Sequence, residues 1–118
     1  MKNLFLLRHA KSSWDNAALA DFDRPLSKRG ISNAILLSEH IQKHNITFDL
    51  VLSSPSERTQ STLDLVLSSL DHFPTTTSKE SIYHASPFSL TQLIKEQDDA
   101  INNLLIIGHN PGLHILTE

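Results

Sequence analysis

Apolar runs and amphipathic stretches alternate along this chain. The first run, Leu4-Phe5-Leu6-Leu7, is far too short to cross a bilayer and predicts a strand over Lys2 to Leu7, buried on both faces. A polar loop follows, Ala10 to Pro25. The period then changes: Ile31, Ala34, Ile35, Ser38 and Ile41 recur at helical spacing and predict a helix whose stripe faces the sheet. Ser27 is placed to cap it, with Leu26 and Ile31 at the two staple positions. Phe48 to Leu52 predicts a second strand. Ser54 as cap, Pro55 at the first helical position and Glu57 in a capping box predict that another helix opens there. Leu63, Val66, Leu67 and Leu70 would form its buried stripe. Thr75, Thr76 and Thr77 favour extended structure and suggest a third strand within Phe73 to Lys79. Pro87 to Gln97 reads as a short helix and Leu104 to Ile107 as a fourth strand. Pro111 then marks a last helix opening, over Gly112 to Thr117.

Strands separated by helices imply right-handed βαβ crossovers and a mostly parallel sheet. The expected class is therefore α/β, a three-layer α/β/α arrangement. With 118 residues the chain is expected to form a single domain, residues 1–118, large enough for a real core. The last predicted helix is only roughly two turns long, and a C-terminal part of the domain is expected to lie beyond it.

Composition narrows the chemistry. The net charge is -3 and no basic stripe exists to neutralise a nucleic-acid backbone. No cysteine is present, which excludes disulfides, thiolate metal sites and thiol catalysis. No stretch reads as a signal peptide or a membrane span, so a cytoplasmic protein is expected.

In a parallel sheet the carboxyl ends of the strands share one edge, where α/β proteins place their chemistry. That edge should collect Arg8 and His9 after the first strand and Arg58 from the turn after the second. Glu80 should join them after the third strand and His109 after the fourth. Arginine forks match phosphate oxygens and keep their charge, and Arg58 falls in the first turn of a helix, where free N–H groups favour an anion. A phosphoryl group is the natural ligand. A carboxylate is the alternative, although two histidines exceed what binding alone requires. A neutral imidazole can attack phosphorus to give a covalent phosphohistidine. Its other ring nitrogen then needs an acceptor, most simply a backbone carbonyl. Arg8, Arg58 and a protonated His109 would stabilise the transferring oxygens. A carboxyl group is wanted to protonate the leaving atom and later activate water, and Glu80 is the candidate.

Four blocks carry a family resemblance. They are Leu7-Arg8-His9-Ala10-Lys11-Ser12-Ser13-Trp14, Asp23-Arg24-Pro25-Leu26-Ser27-Lys28-Arg29-Gly30, Ser53-Ser54-Pro55-Ser56-Glu57-Arg58-Thr59 and Gly108-His109-Asn110-Pro111-Gly112. Together they resemble the histidine phosphatase superfamily, the phosphoglycerate mutase-like group, and within it the small SixA-type phosphohistidine phosphatases. The resemblance places the nucleophilic histidine on His9, its neighbouring arginine on Arg8, the second arginine on Arg58 and the second histidine on His109. Arg24 resembles an additional phosphate-pocket arginine, and Glu80, followed by Tyr83, the acid position of the mutase branch. Ala10 departs from the glycine found in much of the superfamily.

Each residue also has a plainer reading. Arg24 could instead anchor its loop through Asp21 or Asp23, and Glu80 could be a solvated loop carboxylate. His40 and His44 are spaced for metal chelation on one helix face but lack the glutamate of a zinc-protease motif, so a solvated face is expected. Ser12, Ser13, Ser53 and Ser54 suit turns and caps, since no nucleophile elbow surrounds them. The expected function is hydrolysis of phosphohistidine or related phosphate monoesters through a phosphohistidine on His9. No metal or organic cofactor is expected. The partner would be a phosphorylated protein, such as a histidine phosphotransfer domain, or a small phosphorylated metabolite. The alternatives are a small-molecule phosphatase or mutase of the same superfamily and a non-catalytic phosphate-binding module.

Overall fold

The computed structural model describes residues 3–9, 12–13, 15–16, 18–70, 73–83, 85–97 and 99–109. The helix expected after Pro111 lies outside them. The elements in chain order are β1 (Asn3–Arg8), α1 (Lys28–Lys43), β2 (Leu50–Ser53), α2 (Glu57–Leu67), β3 (Thr75–Ser78), α3 (Pro87–Lys95) and β4 (Asn103–Gly108). Single 3₁₀ turns occupy Asp21–Asp23 and Glu80–Ile82. This is the expected α/β alternation with a parallel sheet.

The chain forms two compact units. The first holds the described residues within Met1–Arg8, Phe48–Pro55 and Pro74–Glu118. Its sheet is parallel throughout, in the order β1-β4-β2-β3. The central strand β4 is buried from Leu104 to Gly108 and behaves as its apolar run predicts. By contrast, β1 is not buried on both faces. Among the described residues it is an edge strand paired with β4, and its residues are half-buried or exposed, Leu4 among them. Leu52, Ile82, Leu90, Leu93, Leu104 and Ile106 make the core on one sheet face; each fully buried Leu or Ile contributes roughly 1.5–3 kcal/mol. On the other face Phe5 meets Phe48 edge-on, ring centroids 5.2 Å apart. Asp49 Oδ2 accepts from the backbone N–H groups of Asn102 and Asn103, both at 2.9 Å, and fixes the start of β4. The helix α3 begins as expected at Pro87, capped by Ser86, whose Oγ accepts from Ser89 N–H.

The second unit holds the described residues within His9–Thr47 and Ser56–Phe73. Ser27 caps α1 by accepting from Gly30 N–H at 3.0 Å. At its far end Asn45 takes a positive φ of 55°. Ile46 N–H bonds the Ile41 carbonyl and Asn45 N–H the Gln42 carbonyl, the paired bonds of a Schellman stop. The buried face of α1 is rotated from the expected stripe: Gly30, Ala34, Ser38 and Ile41 are buried, whereas Ile31 and Ile35 are exposed. The helix α1 packs on α2. Ser38 Oγ donates to the Val66 carbonyl at 2.5 Å and accepts from Ser69 N–H at 3.2 Å. Small side chains permit that close approach: Ala34 and Ser38 belong to the expected stripe, and Gly30 joins them on the buried face. The helix α2 starts at Glu57 with Ser56 as its cap residue, two positions after the expected Ser54. Ser56 Oγ pairs with Thr59 Oγ1 at 2.8 Å.

Candidate active site

Arg8, Glu80 and His109 belong to the first unit; His9, Arg24 and Arg58 belong to the second. In the first unit, Arg8 pairs in register with Gly108, and Ser53 with both Ile107 and Ser78. The carboxyl ends of all four strands therefore meet at one edge. Arg8 is exposed there. Two further backbone bonds extend the ladder past the strands, Ser54 N–H to the Ile107 carbonyl at 3.1 Å and Lys79 N–H to the Ser53 carbonyl at 2.8 Å.

That extension positions a histidine cluster. Ser54 is fully buried, and its Oγ lies 2.8 Å from His109 Nε2. Tyr83 meets the His109 ring edge-on, centroids 5.4 Å apart at 72°. A hydroxyl donates or accepts as required, so this contact suits either tautomer of His109 and its protonated form. Glu80 opens the 3₁₀ turn that leads to Tyr83, and its carbonyl accepts Tyr83 N–H at 3.0 Å. The Glu80 side chain is exposed.

In the second unit, His9 is half-buried and Arg58, second residue of α2, is 6% exposed. Arg58 Nε donates to His9 Nε2 at 3.3 Å. A guanidinium carries donors only, so Nε2 must present its lone pair and the ring proton must sit on Nδ1. A lone pair held beside a fixed cation is the chemical arrangement of a nucleophile facing an anionic electrophile. Asp21 holds the two terminal nitrogens of Arg58: Nη1 donates to the Asp21 carbonyl at 2.5 Å and Nη2 to Asp21 Oδ2 at 3.0 Å.

Arg24 is buried as well, and the ion pair with Asp21 foreseen in the sequence is present, Nη1 to Oδ1 at 2.9 Å. Arg24 Nε donates to the Ser13 carbonyl at 3.3 Å and Nη2 to Ser12 Oγ. Arg24 thus ties the segment just after His9 to the Asp21–Asp23 turn. His40 on α1 and His44, the residue that ends it, are exposed with their rings 4.3 Å apart, and no group of three metal-ligating side chains occurs among the described residues.

Three residues escaped the sequence reading. Asp21 is visible as a partner of Arg24 three positions away, but its bond to Arg58 links positions 37 apart and has no local signal. Ser54 looked like a helix cap and serves His109 instead. Tyr83 was noticed only as a neighbour of Glu80, and its ring against His109 depends on the turn between them.

Comparison with known proteins extends this picture. The description of the histidine phosphatase superfamily (branch 1) matches residues 4–80. A curated relative, an uncharacterized chloroplastic protein of Arabidopsis thaliana, is 53% identical over 38 residues, which are 32% of this chain and 17% of that protein's length. Among solved structures, the provisionally assigned phosphohistidine phosphatase SixA of Agrobacterium tumefaciens superposes with a TM-score of 0.91 at 27% identity, covering 98% of this chain and 73% of the other. A protein histidine phosphatase SixA complexed with tungstate gives 0.83 at 22% identity, with 97% and 73% covered, and shares the fold. Among the described residues no helix is long and apolar enough to cross a membrane.

Proposed function

This chain belongs to the histidine phosphatase superfamily (branch 1), and from that premise we propose that it is a phosphatase acting on phosphohistidine in proteins through a phosphohistidine on His9. The observation that carries the proposal is the contact of Arg58 Nε with His9 Nε2, which leaves that nitrogen unprotonated and beside a cation. The 27% identity to the Agrobacterium SixA protein over nearly the whole chain supports the finer choice of substrate.

In the proposed first step the Nε2 lone pair attacks phosphorus, a new P–N bond forms, and the bond from phosphorus to the leaving nitrogen breaks. The leaving imidazole takes up a proton as it departs. In the second step water attacks the phosphohistidine, the P–N bond breaks and inorganic phosphate leaves. Arg58 and Arg8, the chain neighbour of His9, stabilise charge on the transferring oxygens, with His109 as a further donor and Arg24 as a phosphate-pocket arginine. Glu80 is proposed as the proton carrier; a phosphoramidate, whose nitrogen departs readily once protonated, makes the weakest demand on it. These charges supply what a metal would, so turnover is proposed to be metal-independent. The reading treats residues 1–118 as parts of one catalytic domain working in the cytoplasm.

The test is dephosphorylation of a phosphohistidine-bearing protein beside a generic aryl phosphate, wild type against His9→Ala, with chelator present. Turnover that needs His9, survives chelation and favours the protein substrate is the expected result. Preference for small phosphate esters would move the assignment to a small-molecule phosphatase. Phosphate binding by a folded protein without turnover would make it a binding module.

A further inference from the structure

We propose that Asp21 is a positioning residue for the nucleophile: its carboxylate bridges Arg24 and Arg58 and holds the Arg58 guanidinium with Nε turned to His9 Nε2. The inference rests on the reading of His9 as nucleophile and deepens it. One residue supplies acceptors to two buried arginines, Oδ1 to Arg24 Nη1 at 2.9 Å and Oδ2 to Arg58 Nη2 at 3.0 Å. Its carbonyl takes Arg58 Nη1 at 2.5 Å and Arg24 N–H at 3.3 Å. The Asp21–Asp23 turn is itself fixed by Asp23 N–H on the Ala20 carbonyl. Arg58 is therefore gripped at both terminal nitrogens, and the atom left facing the nucleophile is Nε.

This division of labour suits a two-step transfer. With Nη1 and Nη2 anchored, Nε can exchange His9 Nε2 for an oxygen of the arriving phosphoryl group without the guanidinium having to find its place again. Preorganised donors act because they need no reorganisation during the reaction. Two guanidiniums against one carboxylate also leave an excess positive charge, so the cluster still attracts a dianion. A free carboxylate competing for the arginines would not need the additional carbonyl contact to Arg58. The same grip reaches the chain beyond His9, because Arg24 holds the Ser12 side chain and the Ser13 carbonyl.

Asp21→Asn tests the bridge, since it keeps size and removes the charge that serves two cations. Steady-state kinetics on an aryl phosphate and on a phosphohistidine protein should show kcat reduced about 10- to 100-fold, the scale of a misplaced reacting group, with KM changed by less than about threefold. Nitrogen NMR of the His9 ring gives a readout independent of turnover. Wild type should show an acceptor-type Nε2 and a protonated Nδ1, and Asp21→Asn should mix the two tautomers while the thermal unfolding curve still reports a folded protein. Should Asp21→Asn not fold, Asp21→Glu, which keeps the charge and shifts the carboxylate, should retain folding and show the same change in the His9 signals to a smaller degree. Unchanged kcat with unchanged His9 signals would overturn the proposal. So would tighter inhibition by inorganic phosphate with a raised kcat/KM, the mark of an internal competitor. If wild type turns over neither substrate, the functional reading fails, and the His9 spectra alone then decide whether Asp21 positions Arg58.

Discussion

His9 and His109 have chemical partners that differ in kind. His9 Nε2 faces the Nε of Arg58, a group that can only donate. His109 Nε2 faces the Oγ of Ser54, which donates or accepts, and its ring lies edge-on to Tyr83. The first arrangement dictates one tautomer and exposes a lone pair to whatever replaces the arginine. The second is compatible with a ring nitrogen that donates or one that accepts. Two residues of one type thus acquire distinct surroundings, and the proposed function gives them distinct parts, His9 as nucleophile and His109 as charge stabiliser.

The largest effect should come from His9, the proposed nucleophile. His9→Ala is expected to abolish turnover while inorganic phosphate still binds, because the arginines remain; undiminished hydrolysis would break the comparison at its first member. Arg58→Ala should come next, lowering kcat/KM by about 2–4 kcal/mol in transition-state terms, the scale for loss of one preorganised donor. A decrease below tenfold would put Arg58 outside the reaction. Ser54→Ala removes the partner of His109 but leaves the backbone ladder intact. It should cost about 1 kcal/mol, roughly five- to tenfold in kcat, as expected for one hydrogen bond. A loss as large as that of Arg58→Ala would mean that His109 also depends on a single fixed tautomer. Tyr83→Leu keeps an apolar contact and loses the aromatic edge, so it should cost only about 0.5 kcal/mol, measurable as a slight fall in kcat. An effect above tenfold would give the tyrosine a role in substrate contact.

The sequence carried most of the frame and part of the chemistry. The apolar runs located β1, β2 and β4, and Ser27 and Pro87 marked helix starts that the structure retains. Strand order was not legible. An apolar run does not state how many neighbours it will have, so β1 read as a fully buried strand although it lies at the edge. On α1 the expected Ala34, Ser38 and Ile41 are buried, but Ile31 and Ile35 are exposed and Gly30 joins the buried face, because small residues let α2 approach. The chemistry-bearing residues stood out where a strand end or a motif singled them out, as with His9, Arg58 and His109. Their partners did not. Asp21 reaches Arg58 across 37 positions and Ser54 reaches His109 across 55, distances over which only the folded chain sets the pairing.

The most direct measurement is capture of the covalent intermediate. Enzyme mixed with a phosphohistidine-bearing protein labelled on phosphorus should be quenched within milliseconds to seconds under alkaline conditions, where phosphohistidine persists, and the modified residue mapped by mass spectrometry. The account predicts label on His9, formed and lost at rates compatible with turnover and absent from His9→Ala. Steady turnover with no label on His9, or label on a different residue, would contradict it.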